Sequence, residues 1–188
     1  MSIYLKKISE NVGDLEYLMY QEIPNSENGA INELNKTTID VFYKLVQNRI
    51  NEEYIKLDES NNPRITYILY DDGYPIGEVC IRKELNEYYK SNSGNIGYKI
   101  RPSKRNLGYG NKILALALEE CKKIGMKKVV LHCYDYNEYS IKVIKNNNGV
   151  LVFKDNDIEI YEIKIGEEWR DGISCYTYMC CKKTRRKN

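Results

Sequence analysis

The chain has 188 residues, of which 29 are basic and 27 acidic, with one histidine and six cysteines. This length allows one domain with a sizeable core, and the near balance of charge gives no whole-protein field for nucleic acid. No stretch approaches about 20 consecutive apolar residues and the start lacks a signal peptide's apolar core, so we expect no membrane segment and a cytoplasmic location. We predict one domain over residues 1–181 and a basic, disordered tail over 182–188.

Apolar periodicity organises the first 60 residues. The predicted elements are a strand over residues 3–8, a helix over 12–20, a polar loop over 24–36, and a helix from a cap at Thr37 or Thr38 to about Ile55. The stripe expected to be buried on the second helix consists of Val41, Phe42, Leu45, Val46 and Ile50.

Strands and helices alternate in the rest of the chain. A hairpin is predicted around the turn Asp71-Asp-Gly-Tyr74, followed by a polar loop over residues 84–94. The later elements are strand 95–101, helix 108–124, strand 127–134, helix 138–147 and strands 149–155, 158–165 and 173–181. This pattern predicts an α/β (α+β) domain of three layers, with a mixed, mainly antiparallel sheet between helices on both faces.

The most informative segment is the glycine loop, residues 102–110, between a strand and a helix. Pro102 ends the strand because it lacks a backbone donor. Gly108 and Gly110 allow a ligand to approach the backbone amides, since they carry no Cβ. A strand, a glycine loop and a helix N-terminus in this order collect N–H groups around an anion, most often a phosphate.

Arg105, Gly108 and Gly110 fill the pattern Arg/Gln-x-x-Gly-x-Gly/Ala, and in this context the chain resembles the GCN5-related N-acetyltransferase (GNAT) family. The resemblance is good over residues 72–153. It implies a GNAT-like fold in which two parallel central strands, ending at Arg101 and near Tyr134, splay apart. It further implies acetyl-CoA (coenzyme A) as co-substrate, with its pantetheine arm between those strands and its diphosphate on the glycine loop.

The resemblance also assigns contacts with the co-substrate. Backbone groups near Ile100 are expected to face the pantetheine and the acetyl carbonyl. Asn137 is expected to contact the pantetheine, and by its position it can also cap the following helix. The cofactor-binding residues predicted in this way are Ile100, Arg101, Arg105, Asn106, Leu107, Gly108, Tyr109, Gly110, Asn111 and Asn137.

The general acid is where the sequence departs from the family. Many members carry a tyrosine seven residues after the asparagine, placed to protonate the leaving thiolate, and this chain has Ile144 there. The candidates that could replace it, by location only, are Ser140, Tyr139, Tyr136 and Cys133. Ser140 is equally well explained as an ordinary residue of the first helical turn.

The general base is also unsettled. Some relatives have a glutamate near the start of the strand that corresponds to residues 95–101, and a similar subgroup often has a histidine at the position of Asn95. This chain has Gly94 and Asn95 there, and neither can act as a base. Glu78 on the neighbouring strand is a candidate base, and the competing interpretation is a solvated surface glutamate. His132 is the one side chain with an ordinary pKa near neutral, and its position within a strand favours a structural role.

These observations predict an acyltransferase that moves an acetyl group from acetyl-CoA to a primary amine by direct attack. The alternative is a non-catalytic acyl-CoA-binding module, which Ile144 and Asn95 favour. The acceptor is expected to be a small-molecule amine or a peptide N-terminus, without nucleic acid or membrane as partner. No metal is expected, because the cysteines form no C-x-x-C pair. The last strands could pair two subunits in a homodimer.

Overall fold

The computed structural model describes residues 2–166, so the predicted strand 173–181 and the basic tail lie outside the described residues. The helices are α1 (Asp14–Glu22), α2 (Ile39–Asn51), α3 (Glu87–Asn92), α4 (Tyr109–Lys123) and α5 (Glu138–Asn146). The strands are β1 (Ile3–Lys7), β2 (Ser26–Glu27), β3 (Ala30–Ile31), β4 (Ile65–Asp71), β5 (Tyr74–Ile81), β6 (Ile96–Ile100), β7 (Lys128–Tyr134), β8 (Val150–Asp155) and β9 (Ile158–Lys164). A short 3-10 turn, Pro102–Lys104, follows β6.

Two antiparallel sheets form the middle layer, in the strand orders β1-β4-β5-β6 and β7-β9-β8. Helices α4 and α5 pack on one face of them, because the apolar residues of α4 recur at helical spacing and are buried together: Ile113, Leu114, Ala117 and Cys121. Helices α1 and α2 cover the opposite face around Met19, Tyr20, Phe42 and Val46. The predicted three-layer, mainly antiparallel architecture is confirmed.

Asn95 joins the two sheets. Its backbone N donates to Val130 O (2.7 Å), and its side-chain Oδ1 accepts from Val130 N (2.8 Å). Toward the other sheet, its Nδ2 donates to Arg82 O (2.9 Å) and its carbonyl accepts from Arg82 N (2.8 Å). Gly94 forms an isolated bridge with Leu131. Gly94 and Asn95, with Val130 and Leu131, are termed the junction.

Beyond the junction, β6 and β7 share no ladder within the described part of the chain. β6 pairs with β5, and β7 pairs with β9. The two strands run in roughly the same direction. Gly94, before β6, lies against Val130 within β7, whereas the Tyr98 side chain, farther along β6, reaches Ser140 beyond the end of β7. The gap between β6 and β7, termed the cleft, lies where the family resemblance expects two central strands to splay apart.

Two segments predicted as loops contain regular structure. Residues 24–36 include the β2–β3 hairpin, whose turn residues Asn28 and Gly29 have φ of +49° and +78°. An Asn-Gly pair suits such a turn because both central residues need positive φ. Residues 84–94 contain α3, which Asn86 caps by accepting from Tyr89 N (3.0 Å).

Helix α2 is shorter than predicted, and its buried face is rotated slightly about the helix axis relative to the predicted stripe. It ends at Asn51, and Phe42 and Val46 are buried as expected. Val41 is exposed, and Arg49 occupies a buried position instead. The reason is a buried carboxylate on β5, described below, that pairs with the arginine.

Gly94→Ala is expected to destabilise the protein more than Gly73→Ala, although both glycines have similar φ, +75° and +82°. Left-handed backbone costs an alanine about 1–2 kcal/mol at either site. A Cβ at Gly73 would meet no atom within 4 Å, whereas at Gly94 it would lie 2.3 Å from Val130 O. Urea denaturation of the two variants measures the difference, and equal losses would contradict a close approach of the two sheets at the junction.

Candidate active site

Two residues in the left-handed region shape the glycine loop. Asn106 has φ of +61° and Gly108 has φ of +84°, a region that asparagine tolerates and glycine adopts freely. A Cβ on Gly108 would find no heavy atom within 4 Å, and Leu107 beside it is exposed. The loop therefore presents bare backbone to solvent where α4 begins.

The backbone N–H groups of residues 107–111 form the predicted anion site. Residues 2–166 supply no acceptor for them, and the first bond of the helix runs from Lys112 N to Gly108 O (3.3 Å). Unpaired N–H groups and the positive end of the helix dipole both favour an anion at this position. The Asn111 side chain is engaged elsewhere, because its Oδ1 accepts from Asn146 Nδ2 (3.2 Å).

Gly110 and the Tyr109 side chain, in the same turn, make structural contacts. A Cβ on Gly110 would lie 2.9 Å from Val143 Cγ2, so this glycine lets α4 pack closely on α5. The Tyr109 hydroxyl donates to Asp71 Oδ2 (2.5 Å), and this bond raises the pKa of Tyr109. The contribution of Tyr109 and Gly110 to an anion site therefore falls to their backbone.

Both arginines of the predicted site are bound to glutamates. Arg101 is buried, and it donates to Glu22 Oε2 (2.5 Å) and Pro75 O (3.2 Å). Arg105 forms a two-point ion pair with Glu27, with N–O distances of 2.9 and 2.5 Å. Their guanidinium groups thus tie β6 and the glycine loop to the segment that leads into the β2–β3 hairpin.

The β2–β3 hairpin lies over one end of the cleft and touches both of its walls. On the β6 side, Lys99 Nζ donates to Ile31 O (2.9 Å). On the β7 side, Gly29 is so close to Tyr134 that a Cβ would lie 2.7 Å from the ring carbon Cε2. A ligand entering the cleft from the α1–α2 face must therefore pass this hairpin.

Alternate backbone groups of β6 point into the cleft. Arg101 N donates to Ile76 O on β5 (3.0 Å), and successive N–H groups of a strand point to opposite sides. The N–H groups of Tyr98 and Ile100 therefore face the cleft, where β7 provides no ladder. Such an open edge can pair with an extended, amide-bearing ligand.

The wall of the cleft nearest α5 carries a hydroxyl pair that the sequence pattern does not reveal. Tyr98 Oη and Ser140 Oγ are 2.8 Å apart. Asn137 caps α5 by accepting from Ser140 N (3.2 Å), which confirms the predicted cap. Burial raises the pKa of Tyr98. Cys133 is buried beside the pair, and its Sγ donates to the carbonyls of Tyr134 (3.4 Å) and Asn137 (3.8 Å).

The remaining candidates for the acid are exposed. The Tyr139 side chain is 75% exposed, and that of Tyr136 is 60% exposed and stacks on the Tyr134 ring. Ile144, at the position of the family's tyrosine, is buried in the core beneath α4 and α5. Of the hydroxyl groups that the sequence suggested, Ser140 is the one that lies at the cleft wall.

Glu78 is buried in a cluster of charges. Its Oε2 accepts from Arg49 (2.7 Å) and from the Tyr20 hydroxyl (2.5 Å), and its Oε1 pairs with Lys99 (3.1 Å). Burial alone would raise the pKa of Glu78, but the Arg49 and Lys99 cations hold it well below its usual range. The interpretation as a solvated surface residue is wrong, and a carboxylate stabilised this strongly in its ionised form accepts protons poorly.

His132 lies on β7 near the junction, and Leu131 and Cys133 beside it point into the core. Its ring nitrogens are buried and form no well-aligned hydrogen bond with residues 2–166. Burial lowers the pKa of His132, and the nearby Lys90 backbone opposes this shift in part. The imidazole is therefore mainly neutral at pH 7.

The family model of the Acetyltransferase (GNAT) family matches residues 31–149, more than half of the chain. The chain belongs to this family. The matched segment runs from Ile31, the last residue of β3, through the glycine loop to just past the end of α5, so it contains both walls of the cleft. GNAT proteins use acetyl-CoA.

Solved structures of the same fold include the GNAT domain of S. lividans PAT, a spermidine N-acetyltransferase SpeG chimera from Vibrio cholerae and hSSAT, and Campylobacter jejuni N-acetyltransferase PseH in complex with acetyl coenzyme A. Their TM-scores are 0.59, 0.59 and 0.57, with identities of 12%, 18% and 15%. The matches cover 85%, 87% and 88% of this chain and 89%, 96% and 100% of those chains.

Residues 2–166 contain neither a candidate metal site nor a candidate membrane-spanning helix. No three His, Cys, Asp or Glu side chains in this range are grouped so that they could hold a metal ion. None of its helices combines the length and the apolar character needed to cross a membrane.

Glu78→Gln is expected to lower the free energy of unfolding at neutral pH by about 3–5 kcal/mol, because Arg49 and Lys99 would be left as poorly compensated buried charges. Glu87→Gln is the matched control, since Glu87 pairs with Lys90 on the surface and such pairs contribute about 0–1 kcal/mol. Urea denaturation measures both. A loss below about 1 kcal/mol for Glu78→Gln would contradict the described cluster.

The same variant tests pH dependence. The folded-state pKa of Glu78 is lowered, so its stabilising effect is present above the ordinary glutamate value of about 4.3 and is lost as the pH falls below that value. The wild type should therefore lose more stability than Glu78→Gln between about pH 6 and pH 3. Parallel declines of the two proteins would show that Glu78 does not have a lowered pKa.

Proposed function

We propose that the protein transfers an acetyl group from acetyl-CoA to a primary amine. The observation that carries the proposal is the bare backbone of residues 107–111, whose N–H groups face open space at Gly108. This arrangement fits a diphosphate, because unpaired amides and the helix dipole attract the same anion. Asn106 supports the site by its left-handed backbone.

The cleft supplies a place for the rest of the co-substrate. Pantetheine carries two amide groups, and the inward N–H groups of Tyr98 and Ile100 suit such a ligand. The side-chain Nδ2 of Asn137 lies at the opposite wall and is not needed for its capping bond, which uses Oδ1. These residues support binding of an acyl-CoA along β6, from the glycine loop toward the junction.

The acceptor would approach from the α1–α2 face, next to the β2–β3 hairpin. An amine nitrogen attacks the thioester carbonyl, a C–N bond forms, and the C–S bond breaks. A cleft-facing N–H of β6, that of Tyr98 or Ile100, would stabilise the oxyanion that develops in this step. Among similar structures, one enzyme is named a spermidine/spermine N-acetyltransferase and another modifies the N-terminal serine of ribosomal protein L7/L12. A small amine or a peptide N-terminus is therefore the proposed acceptor class.

Calorimetric titration with acetyl-CoA is expected to give a micromolar Kd, about −8 kcal/mol. Gly108→Asp should weaken binding at least about 100-fold, because it places a carboxylate within the anion site. Gly108→Asn is the matched control, since asparagine has the same shape, tolerates positive φ and carries no charge. It should bind more tightly than Gly108→Asp. Absence of binding by folded wild-type protein would refute the proposal.

A screen for acetylated products then separates an enzyme from a binding module. Acetyl-CoA is incubated with the protein and a panel of polyamines, amino acids and peptides with free N-termini, and products are detected by mass spectrometry. Detection of product avoids thiol dyes, with which the cysteines could react. Tight binding without any acetylated product across the panel would favour the non-catalytic acyl-CoA-binding module, for which the buried Ile144 is the structural argument.

A further inference from the structure

We propose that the hydroxyl pair formed by Tyr98 and Ser140 donates a hydrogen bond to the sulfur of coenzyme A and so stabilises the thiolate as it leaves the acetyl group. This inference rests on the proposed function. It places the contact with sulfur on a β6 tyrosine that reaches across the cleft to the first turn of α5, whereas the position of the family's tyrosine is held by Ile144, which is buried in the core.

The position of the pair carries the argument. The anion site lies just past the end of β6, so a ligand arm that follows the open edge must run back from Ile100 toward Asn95. Tyr98 lies midway, roughly 7 Å along the strand from Ile100. Its side chain points to the α4–α5 face, with Ile96 and Ile100. The Tyr98 side chain therefore crosses the cleft to the Ser140 hydroxyl at the α5 wall, and an arm that follows β6 from Ile100 toward Asn95 meets this pair.

The chemistry of the pair suits a hydrogen-bond donor. Two hydroxyl groups carry two hydrogens, and the 2.8 Å bond between them uses one. The second hydrogen can be directed to a third atom, which is either the adjacent Cys133 sulfur, with which Ser140 interacts, or an incoming sulfur. Burial raises the pKa of Tyr98, so the phenol keeps its proton at neutral and moderately alkaline pH. It can stabilise a thiolate by hydrogen bonding but cannot act as a base there.

Neighbouring groups are already engaged. The Cys133 thiol donates to two backbone carbonyls. The Lys99 ammonium is on the opposite face of the sheet, bonded to Glu78 and to the Ile31 carbonyl. Neither is directed toward a sulfur at the α4–α5 wall. The pair is thus the donor that the described residues place there.

Attack of the amine on the thioester forms one bond and breaks another. The acceptor nitrogen forms a bond to the carbonyl carbon and loses a proton to solvent, and the C–S electron pair leaves with sulfur. The sulfur leaves as a thiolate that accepts a hydrogen bond from the hydroxyl pair, and it then takes a proton from solvent. The products are an acetylated amine and coenzyme A in its thiol form.

Coenzyme A labelled with ¹³C at the carbon bonded to sulfur tests the contact without an acceptor. The chemical shift of this carbon reports ionisation of the thiol, and an NMR titration gives its acid dissociation constant on the protein. We expect the constant to be about tenfold larger in the wild type than in Tyr98→Phe, which corresponds to one pKa unit. Ser140→Ala should also decrease the acid dissociation constant of the bound thiol. Tyr54→Phe, an exposed tyrosine on the segment after α2, is the control that should behave as wild type.

The possible outcomes are distinguishable. Wild-type protein that fails to bind coenzyme A would overturn both the proposed function and this inference. Binding with the same thiol ionisation in wild type, Tyr98→Phe and Ser140→Ala would overturn the inference alone. Should Tyr98→Phe fail to fold, Ser140→Ala decides, because its side chain is small and only partly buried.

Discussion

The arrangement of the whole site depends on how the two sheets stop pairing. At the junction Asn95 bonds to Val130 through both its backbone N–H and its side-chain oxygen, while its amide nitrogen holds Arg82. The Asn95 side chain thus accepts the hydrogen bond from Val130 N that a backbone carbonyl would accept in a regular ladder, and the pairing of β6 with β7 ends there. Gly94 permits the close approach. The sequence suggested only that Asn95 cannot be a base; its structural effect is to open the cleft.

The ion pairs around the cleft couple its two faces. Arg101 with Glu22 and Arg105 with Glu27 join the glycine loop to the end of α1 and the hairpin. Lys99 adds a bond from β6 to the same hairpin. The glycine loop and β6 are therefore linked to the end of α1 and to the β2–β3 hairpin by side-chain contacts between residues that are 68 to 79 positions apart in sequence.

The local sequence pattern was sufficient to predict the long helices and strands. It failed for features that are determined by contacts between distant segments. Apolar spacing predicted α4 and the strands around it because each buries one face. The β2–β3 hairpin was missed because its strands have two residues each, although its Asn-Gly turn was a usable signal. Helix α3 buries no side chain and so has no apolar period. The burial of Glu78 depends on Arg49, and the Tyr98 contact depends on Ser140; no spacing in one segment reveals either pair.

The distribution of ionisable groups limits how protons can move in this site. Glu78 is held ionised by two cations, so it is an unsuitable base even though it lies on the strand next to β6. His132 is mainly neutral and faces away from the hydroxyl pair. The hydroxyl pair and these two ionisable groups thus lie on opposite faces of the sheet. In the proposed reaction, an amine on the α1–α2 face would have to lose its proton to solvent, because Glu78 accepts protons poorly, while the departing thiolate would meet hydroxyl groups on the α4–α5 face.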